Sequence, residues 1–142
     1  MKPALVAACV AACAHGDLRN VPLLVSSDVM ADSLAQFKQA QVLRSGLMLE
    51  LRRQRYCLDR AGDFEGMLQL RADTANGDLT VFLTLDDAAG ARIEEVEHPW
   101  RATPLPAEPP RAADLMHVLL RELAGSNGTR EFASEGTARC LR

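Results

Sequence analysis

Between Phe64 and Val96 the chain alternates apolar and polar residues with a period of two, broken at short intervals by turn residues. Phe64, Gly66, Leu68, Leu70 and Ala72 share one parity, and Glu65, Gln69, Arg71 and Asp73 take the other. After Asn76-Gly77-Asp78, which tolerates positive φ, Leu79, Val81, Leu83 and Leu85 alternate with Thr80, Phe82 and Thr84. Asp87-Ala88-Ala89-Gly90 turns the chain before Arg92–Glu97. Successive strand side chains point to opposite faces, so this pattern predicts an antiparallel meander with one buried face. Leu47, Leu49 and Leu51 alternate in the same way and are read as a further strand. The last strand breaks parity between Ile93 and Val96, where a bulge or an exposed edge is expected.

A sheet with one apolar face needs a cover, and two segments can supply it. Ser27 or Asp28 would cap a helix to about Gln41 with Met30, Leu34 and Phe37 on one side. The alternative is an outer strand over 33–43. The second helix starts after Pro109-Pro110, carries Leu115, Leu119 and Leu123 one turn apart beside Met116 and Leu120, and stops at Gly125. Five prolines from Pro99 to Pro110 predict a stiff extended crossing between sheet and helix. From Ser126 the tail reads as polar and weakly structured, with Phe132 its only large apolar anchor. The expectation is α+β: a curved antiparallel β-meander, half-barrel-like, covered by one or two α-helices.

The amino terminus reads differently. One early cation, Lys2, precedes the small and apolar run Ala4–Cys13, the layout of an export signal. Val6-Ala7-Ala8-Cys9 and Val10-Ala11-Ala12-Cys13 each resemble a lipobox, in which a small residue precedes a cysteine that receives lipid. Cys13 is preferred, because it leaves the longer apolar segment before it. The competing reading is an apolar first strand or helix with two buried thiols. The division expected is 1–13 signal, 14–26 a tether leading into the fold, and 27–142 one α+β domain. If Cys9 and Cys13 belong to the signal, Cys57 and Cys140 remain as an even pair, either a disulfide or two buried thiols.

Convergent chemistry is hard to assemble. His15 lies in the tether, His98 ends a strand, and His117 has Ala113 and Arg121 one turn away, so no two-histidine metal face forms. Glu94, Glu95, Glu97 and His98 split between two strand faces and read as a solvated edge. Gly125-Ser126-Asn127-Gly128 misses nucleophile-elbow spacing, and there is no phosphate loop or dinucleotide fingerprint. No catalytic residue, metal or cofactor is expected. A net charge of −3 and 4% aromatics argue against nucleic acid, which needs clustered cations or stacking platforms. Arg52, Arg53 and Arg55 form the one basic patch, either a solvated strand end or a site for anionic head groups. No apolar run reaches the roughly 18–20 residues of a membrane span, so any membrane attachment is expected through lipid alone.

The order from Leu47 to Leu123 resembles an uncharacterised family of bacterial lipoproteins related to the outer-membrane lipoprotein carrier and receptor proteins. The resemblance rests on the apolar meander ending in Ile93-Glu94-Glu95-Val96-Glu97-His98-Pro99-Trp100, the proline-bearing crossing, and the helix Asp114–Arg121. It implies a strongly curved sheet around a cavity for acyl chains, at the periplasmic face of a membrane, with lipid or a lipoprotein as partner. Leu49, Leu68, Leu70, Val81, Leu83 and Leu119 would line that apolar face. They serve an ordinary core equally well, and the alternative function is a structural or inhibitor-like interaction module without a cavity.

Overall fold

A computed structural model describes residues 16–29, 34–58, 62–75, 78–100 and 109–135. A 3₁₀ turn at Leu18–Asn20, capped by the Asp17 carboxylate, leads into β1 (Leu23–Val29). Helix α1 (Leu34–Arg53) follows, then β2 (Gly66–Ala75), β3 (Asp78–Asp87) and β4 (Arg92–Trp100). Helices α2 (Pro109–Gly125) and α3 (Asn127–Glu135) complete the described chain. The strand order is β1-β2-β3-β4, with β1 parallel to β2 and the other pairs antiparallel. The architecture is α+β, a mixed four-stranded sheet with three helices packed on it.

The meander follows the predicted parity. Leu68, Leu70, Val81, Leu83 and Leu85 are fully buried, and Ala72 nearly so. The parity break in the last strand is a bulge: Leu85 pairs with Glu94 and Asp86 with Arg92, leaving Ile93 without a ladder partner. That extra residue returns Val96 to the inner face opposite Leu83 and puts Glu95 on the outer face opposite Thr84. β4 is also a sheet edge, so both expected features occur together.

Five expectations are corrected. The sheet is not a half-barrel, since it is not strongly curled. It is not purely antiparallel either, because β1 joins it in parallel, a connection that needs a crossover such as α1. Residues 23–29, where the first helix was to begin, form that strand. Leu47, Leu49 and Leu51 lie within α1, because Leu43, Leu47 and Leu51 repeat every four residues, one helical turn apart. Finally, the tail from Ser126 is helical. Ser126 accepts from the Thr129 amide at 3.2 Å as an N-cap, and Thr129 and Ala133 are buried.

Helix α2 is as predicted, with Leu115, Met116, Leu119, Leu120 and Leu123 all buried. Helix α1 packs closely on it at Gly46, where a Cβ would come within 2.5 Å of the Ala112 Cβ. Glycine inside a helix weakens it, and here it permits two helices to approach. The 101–108 part of the proline-rich crossing lies outside the described residues, as do the side chains of Leu34 and Phe37.

Candidate functional site

The residues assigned to an apolar binding face divide into two groups. Leu68, Leu70, Val81, Leu83 and Leu119 have no exposed surface, and they pack with Leu43, Leu47, Leu51 and the α2 leucines in one cluster. Fully burying one leucine contributes about 1.5–3 kcal/mol, so this packing stabilises the fold itself. Leu49 sits apart, half-buried on the outer side of α1, where it lines a shallow groove with Gln41, Arg44, Ser45, Met48 and Arg52. The sheet's inner surface is therefore filled by helix side chains over these positions.

Another open concavity lies at one end of the sheet. It is a groove of about 660 Å³ between the start of β2, the β3–β4 hairpin and α3. Phe64, Ile93 and Phe132 give it apolar walls, while Glu65, Asp87, Glu131 and Glu135 stand with Arg92 around them. The bulge at Ile93 and the capped start of α3 build it together. Gly128, Glu131, Phe132 and Glu135 fall on one stripe of α3, and a Cβ on Gly128 would meet the Ile93 carbonyl at 3.3 Å. Asp87 accepts from the Ala89 and Ala91 amides at 3.0 and 2.8 Å, which fixes the hairpin turn that forms one wall. Phe132 was expected only as an anchor for the tail. The groove itself was invisible in sequence, since its walls come from three separated segments.

A second polar cluster was also missed. Glu50 is 2% exposed, and its Oε2 meets His117 Nδ1 of α2 at 2.7 Å. Gln54 donates to the same oxygen, and Arg53 Nη1 lies 3.4 Å from Oε1. Burial pushes the Glu50 carboxyl up, but bonds from Gln54 and His117 and the Arg53 charge outweigh it, holding the group below its ordinary value. The pair joins α1 to α2, and its signal was lost when Glu50 was assigned to a strand. Among the described residues no group of three metal-ligating side chains converges.

On the sheet's outer face the acidic string is only partly a solvated edge. Glu95 accepts from Thr84 Oγ1 at 3.0 Å and from Arg92 at 3.2 Å, and Arg71 lies 3.8 Å away. The Arg71 guanidinium also stacks over Phe82, 4.4 Å from the ring centroid. Arg52 and Arg53 end α1 rather than a strand, and Arg55 follows with φ 59°.

Cys57, half-buried between α1 and β2, is disulfide-bonded. Cys140, the expected partner, and Cys9 and Cys13 lie outside the described residues. Among the described residues no helix is long and apolar enough to cross a membrane.

No protein-family model matches the chain, and no curated protein matches it. Three solved structures show partial similarity to it. A PelC variant from Paraburkholderia phytofirmans, crystallised as a dodecamer, is 14% identical over 77% of this chain and 90% of that one, with a TM-score of 0.49. A Xanthomonas campestris protein of the DUF330 family is 8% identical over 83% and 85%, with a TM-score of 0.45. The N-terminal domain of Thermus thermophilus Protein Y is 20% identical over 72% and 98%, with a TM-score of 0.34.

Proposed function

We propose that this chain is an exported envelope lipoprotein, anchored through Cys13, that acts without catalysis by docking another protein on its surface. The observation that carries the reading is the disulfide at Cys57, because such bonds persist in oxidising compartments and are rare in the cytosol. It supports the export signal read in residues 1–13, and we take Cys140 as the partner thiol. Val10-Ala11-Ala12-Cys13 then supplies the lipid attachment.

The filled inner face favours docking over acyl-chain carriage, since Leu68, Leu83 and Leu119 leave no surface for a chain to touch. The groove at Phe64, Ile93 and Phe132 is the preferred docking place. Its acidic rim suits a partner segment with an apolar residue beside a lysine or arginine.

Metabolic labelling with a fatty-acid analogue tests the anchor. Label is expected on the wild type and on Cys9→Ala, and lost in Cys13→Ala. An unlabelled wild type, or label kept in both variants, rejects the anchor. Peptide mapping without reduction is expected to recover Cys57 linked to Cys140, and two free thiols at these positions would remove the support for export. Native mass spectrometry is expected to show protein free of bound lipid beyond the anchor. A stoichiometric acyl ligand lost in Phe132→Ala would favour lipid carriage in the groove instead.

A further inference from the structure

We infer that the arginine-bearing end of α1 lies against an anionic lipid surface, which orients the anchored domain on its membrane. The inference rests on the lipid anchor at Cys13. Gly16 packs so tightly on α3 that a Cβ there would collide with the backbone of Ala133 and Ser134. The chain is thus pinned to the fold three residues after Cys13, and three extended residues span at most about 11 Å. That reach is close to the screening length of about 10 Å at 0.1 M salt, so charges at this end interact with lipid head groups.

Asp17, next to Gly16, is paired with Arg19, and the exposed charges at the end of α1 beyond that pair are cationic. From Gly16 the chain runs into the 3₁₀ turn, where the Arg19 carbonyl accepts from the Cys57 amide at 3.2 Å. The Cys57 carbonyl accepts in turn from the Leu23 amide at 2.9 Å. These bonds hold residues 55–57 beside the entering chain. Arg52, Arg53 and Arg55 are all exposed. Over the whole of α1 the single acidic residue is Glu50, which is buried and paired. Further along the outer side, Arg44 and Arg52 flank Met48 and Leu49, apolar side chains that can rest among head groups. Glu131 and Glu135 belong to the groove stripe of α3, whereas Gly16 packs at Ala133 and Ser134 on the adjoining side.

Arg55 separates this reading from a purely structural one. Arg52 and Arg53 complement the negative end of the helix dipole, so the fold alone can account for them. Arg55 has the left-handed conformation that favours glycine after a helix, and a side chain there is strained. Among the described residues the Arg55 side chain has no hydrogen bond or ion pair to offset that strain, whereas a membrane contact would offset it.

The test compares binding of the full-length, non-acylated chain (Cys9→Ala, Cys13→Ala) to phosphatidylglycerol-containing and pure phosphatidylcholine vesicles at low salt. Stronger binding to the anionic vesicles is expected, falling about fivefold for each cation removed in Arg52→Gln and Arg55→Gly. Arg55→Gly is expected to raise the thermal midpoint while weakening binding, opposite signs that a folding defect cannot produce. Equal binding to both vesicle types, or anionic preference undiminished when Arg52→Gln and Arg55→Gly are combined, overturns the inference. Failure of the anchor itself appears separately, as absence of fatty-acyl label on the wild type, and it removes the orientation argument whatever the vesicles show.

Discussion

Helices α1 and α2 cover the same sheet and use different means. Helix α2 carries an unbroken apolar stripe, whose residues Leu115, Met116, Leu119, Leu120 and Leu123 are at most 3% exposed. Helix α1 buries Leu43, Leu47 and Leu51 as well, but Gly46 and the carboxylate of Glu50 interrupt that side, and its outer side is cationic. Helix α2 packs its stripe against α1, β4 and β3. The other is held by close backbone approach and a polar clasp to its neighbour. The difference teaches that a helix's solvent side is free for function where its inner side needs few residues.

The largest expected effect comes from the α2 side. Leu119→Ala should cost about 2–5 kcal/mol in denaturant unfolding, the range for a leucine cavity in a closed core. A loss below about 1 kcal/mol would mean that the inner face is hollow, and the acyl-binding reading would return. Gly46→Ala comes next, with a net loss of about 1–3 kcal/mol from overpacking against Ala112 and Ala113. Helix propensity alone predicts a gain of about 1 kcal/mol, so the sign decides whether α1 depends on close approach.

Removing the clasp has a smaller effect, and it depends on pH. Because the Glu50 carboxyl lies below its ordinary value of 4.5 in the folded chain, its stabilisation is complete above that value. It is lost as pH falls through the folded pKa. Glu50→Gln should flatten this acid limb and cost about 1–2 kcal/mol at neutral pH. An unchanged acid limb would show that the clasp contributes little. The smallest effect is expected in the groove, where half-buried Phe132→Ala should cost about 1 kcal/mol or less while abolishing any partner crosslink formed at Glu131. A severe folding loss would make Phe132 a core residue instead.

The two helices also differ in how far they could be read. The Leu115–Leu123 stripe repeats at helical spacing and is flanked by Pro109 and Gly125, so boundaries and buried face agreed with expectation. In α1 the leucines at 47, 49 and 51 satisfy a strand period as well as a helical one. Leu43 four residues earlier was the signal that decided between them. The tail helix was overlooked because its short apolar side, Thr129, Phe132 and Ala133, is small, although Ser126 was a usable capping signal.

Period-two alternation and turn chemistry determined β2, β3 and β4 from the sequence by itself, and the parity break marked where a bulge or an edge would fall, because backbone geometry ties side-chain direction to local spacing. Tertiary structure alone decided the rest. It added β1 in parallel to the meander and brought Glu50 to His117 across 67 residues. It also assembled a groove from Phe64, Ile93 and Phe132 and set Cys57, just after α1, beside the entering chain. These juxtapositions follow from how whole elements pack, which no local period encodes.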